Sequence, residues 1–145
     1  MNVWVASSPS RILFRSSRFR ATVSLAPLAS ASARSRRAAL PSSAEVWVVA
    51  VGRGAWVAIP GEPDTRLGRE IKTAGRASFA VTFVAGVSNA YQGYFLAAEH
   101  FRTSSYISCG SLYGERGGEL VRDAAIAGLR ELAERRAARP VKPGR

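Results

Sequence analysis

The sequence predicts an α/β fold, with α+β as the alternative: an incomplete mixed sheet of about three strands, flanking helices and a long C-terminal helix. Three observations carry this expectation. Two β-branched and aromatic runs, residues 46–51 and 55–59, stand either side of Gly52-Arg53-Gly54. A third run, Phe79 to Ala85, follows a short helical pattern. Residues 118–137 then repeat apolar positions every three to four, the period of an amphipathic helix.

Residues 1–43 come first and contain seven arginines and no acidic residue, with Pro27 and Pro41 interrupting a Ser/Ala-rich background. Such a segment buries too little apolar surface to offset the entropy of ordering itself, so a disordered Arg/Ser-rich leader is expected. The same composition is that of an organelle transit peptide; without import the expected location is the cytoplasm. An ordered unit should span 44–138. The tail 139–145 holds Pro140 and Pro143 and should not be helical.

Within the ordered unit, Val46 to Val51 and Ala55 to Ile59 read as a hairpin. Both strands are apolar throughout instead of alternating, which predicts a sheet covered on both faces and places Trp47, Trp56 and Phe83 in the core. Pro60-Gly61 ends the second strand. Residues 65–74 suit a short helix, with Leu67 and Ile71 on one face and Asp64 placed as its N-cap. In the last helix Leu120, Ala124 or Ala125, Gly128 or Leu129, and Leu132 form the apolar stripe, and Glu131–Arg135 is an i,i+4 pair. Three strands and two helices are marginal alone and leave an exposed sheet edge, which predicts association or poor solubility.

Charge and cysteine content narrow the function classes. The net charge is +11, but outside the leader 14 basic residues face 10 acidic ones. The basicity thus belongs to the leader and not to a binding face, and no specific nucleic-acid partner is expected. One cysteine, Cys109, makes neither an internal disulfide nor a cysteine zinc cluster. No apolar run approaches the roughly 20 residues of a membrane span.

Two loops leave the ends of buried strands, a favoured place for ligand sites. Ile59-Pro60-Gly61-Glu62 puts a carboxylate beyond a rigid corner. Gly86 to Tyr94 holds Asn89, Tyr91 and Tyr94 within nine residues. Taken as residue types alone, a strand-end Glu is more often a surface or helix-terminal charge, and a Tyr-x-x-Tyr pair is more often half-buried packing.

The order of these motifs resembles a known family. Ala58-Ile59-Pro60-Gly61-Glu62 followed by Leu67-Gly68-Arg69-Glu70-Ile71-Lys72, then Gly86-Val87-Ser88-Asn89-Ala90-Tyr91-Gln92-Gly93-Tyr94, then Glu99, Phe101 and Tyr106, and last Ser111-Leu112-Tyr113-Gly114, resemble the C-terminal part of the N-terminal catalytic domain of neutral/alkaline ceramidases. That resemblance implies an α/β zinc amidohydrolase cleaving the N-acyl bond of a ceramide-like substrate. It implies Glu62 and Tyr94 as metal ligands, beside two histidines from earlier segments, and Tyr106 as a catalytic group at the reacting carbonyl. Zinc with oxygen ligands lowers the pKa of bound water and polarises a carbonyl, and a phenol can donate to the developing oxyanion. This sequence has one histidine, His100, at a position the family fills otherwise; an exposed helix or loop histidine is its plainer reading. Two oxygen ligands without imidazole bind zinc weakly. The expectation is therefore a hydrolase-domain fragment over 44–138, inactive alone unless a complementing chain supplies the remainder. The alternative is a non-catalytic binding or interaction module that keeps the fold remnant.

Overall fold

The computed structural model describes residues 15–22, 41 and 43–138. The expected strands appear as β2 (Ser43–Val51), β3 (Gly54–Ala58) and β5 (Val81–Ala85). β2 and β3 form the predicted antiparallel hairpin, and β3 pairs with β5 in parallel, so the sheet is mixed. The expected short helix is α1 (Thr65–Gly75) and the long C-terminal one is α4 (Gly117–Ala137). Between them lie two single-turn helices, α2 (Ala98–Phe101) and α3 (Tyr106–Cys109). Two short strands, β4 (Glu62–Pro63) and β6 (Tyr94–Phe95), make a separate parallel pair.

A further strand, β1 (Arg15–Thr22), runs antiparallel to β2 with Phe19 opposite Val46. This corrects the expectation of an unstructured leader for residues 15–22. Without β1, β2 would present a row of unpaired N–H and C=O groups, and a neighbouring extended segment satisfies them. Apart from residues 41 and 43, the remainder of the leader and the tail 139–145 lie outside the described residues.

Burial alternates along β2, with Ala44, Val46, Val48 and Ala50 inward. These residues meet Ala55, Val57 and Ile59 and the apolar stripes of the two long helices: Ile71 from α1, and Val121, Ala125, Leu129 and Leu132 from α4. Each large aliphatic side chain so buried contributes roughly 1.5–3 kcal/mol. Arg122 of α4 ties the helices together by donating to Glu70 of α1 at 2.7 Å.

The other face of the sheet is not covered as expected. Trp56 is 40% exposed and Phe83 44% exposed. They are register partners on β3 and β5, and their rings stack 5.0 Å apart at 24°. The strands are apolar on both faces, but the long helices pack against only one.

β3 and β5 run in the same direction, so their C-terminal ends deliver Glu62 and the loop 86–93 to the same edge of the molecule. That edge is where open α/β sheets carry ligand sites.

Candidate functional site

Glu62 is positioned by its backbone. Its N–H donates to the Gly93 carbonyl at 2.9 Å, and the Asp64 N–H donates to the Phe95 carbonyl at 2.9 Å. This ladder makes Glu62 and Tyr94 direct partners in the β4–β6 pair, although 31 positions separate them in sequence. The approach depends on Gly61: a Cβ there would lie 2.5 Å from the Gly93 carbonyl oxygen and 2.8 Å from the Phe95 ring. The loop is further pinned to the Ile59–Gly61 corner by the N–H groups of Val87, Ser88 and Gln92, which donate to the carbonyls of Gly61, Ile59 and Pro60. Val87 and Asn89 hold positive φ angles of 51° and 70°. The value at β-branched Val87 marks local backbone strain beside the site.

Tyr94 is fixed from its other side. The Ser111 hydroxyl donates to the Tyr94 carbonyl at 3.0 Å, and Tyr113 is buried with its ring stacked on Phe95 at 5.6 Å. The Tyr94 and Tyr106 rings meet edge to face with centroids 6.1 Å apart. Tyr106 opens α3 and is 83% exposed, so its hydroxyl is available to a ligand. The three positions implied by the resemblance, Glu62, Tyr94 and Tyr106, therefore lie together on one edge.

Tyr91 is a member of this cluster that the sequence did not assign. Its hydroxyl donates to Glu62 Oε1 at 2.9 Å. This bond, more than partial burial, raises the Tyr91 pKa above the usual phenol value, because ionising would set two negative charges face to face. Burial raises the Tyr94 pKa, and the Glu62 charge and the Tyr106 hydroxyl add to the effect. Both phenols are therefore protonated hydrogen-bond donors at neutral pH. The Tyr-x-x-Tyr spacing was the available signal for Tyr91, but only the folded loop, with its hydroxyl on Glu62, shows that it joins the site.

Asp64 takes its expected place as the N-cap of α1, accepting from the Arg66 N–H at 2.9 Å. Burial pushes its pKa up, but the Arg66 N–H, His100 and the Ala97 N–H outweigh that and hold it below the ordinary value. His100, half exposed on α2, places Nδ1 against Asp64 and Nε2 3.5 Å from Glu99. Its ring contacts these carboxylates and not Glu62 or Tyr94. The plain reading of His100 as a surface helical residue describes its surroundings.

The donor set at Glu62 is one carboxylate with neighbouring phenols and no imidazole or thiolate, and among the described residues no group of three or more His, Cys, Asp and Glu side chains is placed to hold a metal ion. As they stand, these residues do not fit a resident zinc ion. They form a hydrogen-bonding edge: Tyr106 and Tyr94 can donate to a carbonyl oxygen or oxyanion, while Glu62 can accept from an amide N–H or a hydroxyl.

No family model matches the chain. Over 81 residues it is 27% identical to neutral ceramidase B of Dictyostelium discoideum, an overlap covering 52% of this chain and 11% of that protein. Its fold matches a crystal structure of neutral ceramidase from Pseudomonas aeruginosa with a TM-score of 0.58 and 22% identity, covering 71% of this chain and 17% of that one. A ceramidase complexed with C2 matches with a TM-score of 0.56 and 19% identity, over 73% of this chain and 17% of the other. The chain spans about a tenth of the curated relative and about a sixth of each solved structure. Along that segment it is similar in sequence to a neutral ceramidase, and it shares the fold of part of the neutral ceramidases.

Proposed function

We propose that this chain carries one wall of a ceramidase-like amidohydrolase site, formed by Glu62, Tyr94 and Tyr106, and that it does not hydrolyse an N-acyl bond alone. The observation that supports this best is the β4–β6 register, which makes Glu62 and Tyr94 direct partners, with Tyr106 against Tyr94. In this reading Tyr106 donates to the carbonyl oxygen of an N-acyl substrate, a role worth roughly 3–4 kcal/mol when the donor is well aimed. Glu62 and Tyr94 would contribute to a zinc site only together with imidazole ligands from beyond the described residues.

The test is zinc stoichiometry together with turnover of a short-chain N-acylsphingosine analogue, measured on the full chain. No turnover and no tight stoichiometric zinc are expected. Tight zinc with turnover by the chain alone would overturn this reading. If the chain is instead a binding module, Glu62→Ala and Tyr94→Phe leave its ligand affinity unchanged; a loss of affinity for the same analogue favours the proposed wall.

A further inference from the structure

At the end of β3 and β5 opposite Glu62, the β2–β3 turn and the C-terminal ends of α1 and α4 surround a depression of about 400 Å³. Three arginines line it: Arg53 from the turn, Arg76 from the cap of α1 and Arg136 from the last turn of α4. Ser78 and Phe79 complete the wall, and no carboxylate lines it. Arg136 is held in place, its Nη2 donating to the Gly52 carbonyl at 2.6 Å while its guanidinium lies 5.5 Å from the Phe79 ring centroid.

The arginines here differ from several others in the described residues. Arg66, Arg102, Arg122 and Arg135 are each neutralised by a carboxylate. None of the three arginines of the depression has such a partner, and the side chains of Arg53 and Arg76 are exposed. A cation near a helix C-terminus complements the dipole there, which accounts for Arg76 and Arg136 taken singly. It does not account for Arg53, nor for three like charges around one hollow, an arrangement that costs free energy until an anion enters.

We propose that this depression binds a phosphoryl group, either free or carried by a larger molecule. Guanidinium forks match the oxygens of a tetrahedral phosphate and can donate in pairs, and the Ser78 hydroxyl lies in the same wall as a further donor. The volume is at the small end of ligand pockets and suits a phosphate or pyrophosphate better than an extended polyanion. The site is separated from the Glu62 edge by the length of β3, so it stands or falls independently of the amidohydrolase reading.

The test is a thermal-shift titration of the full chain with inorganic phosphate and with pyrophosphate, at ionic strength held constant with chloride. It is repeated on the double variant Arg53→Gln/Arg76→Gln, whose two side chains make no hydrogen bond or ion pair among the described residues. A saturable rise in Tm is expected, with apparent affinity falling about tenfold or more in the variant, the effect of losing charge-assisted hydrogen bonds. An equal response from the variant, or no response beyond the chloride control, would overturn the proposal. Sedimentation with phosphatidylcholine vesicles, with and without phosphatidic acid, then separates the sources. Phosphatidic-acid-dependent binding that inorganic phosphate competes away and the variant loses shows a lipid-borne group. A phosphate response without vesicle binding shows a soluble ligand. Vesicle binding that the variant retains in full counts against the pocket.

Discussion

Glu62 sits among phenols that its own charge keeps protonated. The Tyr91 pKa is raised first by its hydrogen bond to Glu62, and the Tyr94 pKa by burial and then by the Glu62 charge. Removing that charge should bring both phenols to ionise at lower pH. Glu62→Gln is therefore expected to move part of the tyrosinate absorbance rise at 295 nm toward lower pH, while Tyr91→Phe should remove one of the late-titrating groups. An unchanged titration in Glu62→Gln would mean that the Tyr91–Glu62 bond does not persist in solution. Asp64 gives the opposite sign. Its folded pKa is depressed below 3.8, so its charge stabilises the fold above the unfolded pKa, and that stability is lost as pH falls through the folded value. Asn also caps helices well, so Asp64→Asn isolates the charge from the cap. At pH 6 the variant should be less stable by roughly 0.3–1 kcal/mol, the effect of a carboxylate at a helix N-terminus. Urea unfolding midpoints should converge as the pH is lowered below the Asp64 pKa; a gap that persists there would assign the effect to something other than charge.

Local pattern fixed most of the secondary structure, and what it left out is what needed a partner. The α1 helix was readable because Asp64, Leu67 and Ile71 carry its cap and its buried face within eight residues. The β4–β6 pair was not, since two residues have no period and Glu62 finds Tyr94 only through tertiary pairing. β1 was hidden by composition: its arginines dominate the average, and only the free edge of β2 gives residues 15–22 a reason to extend. α4 shows why its glycines are not helix breakers. A Cβ on Gly118 would lie 2.1 Å from the Leu96 carbonyl oxygen and 2.7 Å from Leu67 Cδ1, so this glycine lets the start of α4 close over the segment after β6. In an exposed helix interior Gly→Ala gains about 1 kcal/mol. Gly118→Ala should instead destabilise by roughly 1–3 kcal/mol, the cost of overpacking, as read by thermal or urea unfolding. A stabilised variant would show that α4 does not pack this closely on the segment after β6.

The expectation of a sheet covered on both faces failed for a reason that also predicts behaviour in solution. Apolar residues on both sides of a strand report what the sequence is suited to bury, not what the described chain supplies to bury it. Here α1 and α4 cover one face, and Trp56 and Phe83 on the other remain 40% and 44% exposed with Val81 beside them at 43%. The stacked pair and its aliphatic neighbour leave one contiguous apolar strip on the open face of the sheet. Two copies of this chain can each bury that patch against the other. Sedimentation velocity across a concentration series should therefore show association that weakens in Trp56→Thr/Phe83→Thr, where threonine keeps strand propensity while removing the aromatic area. Glu62 and Tyr94 lie beyond the strand ends, with Tyr106 of α3 against Tyr94, and not on this face, so the tyrosinate titration of the double variant should match the wild type. Loss of association together with an altered titration would mean that the face supports the site edge, and undiminished association would place the contact elsewhere on the surface.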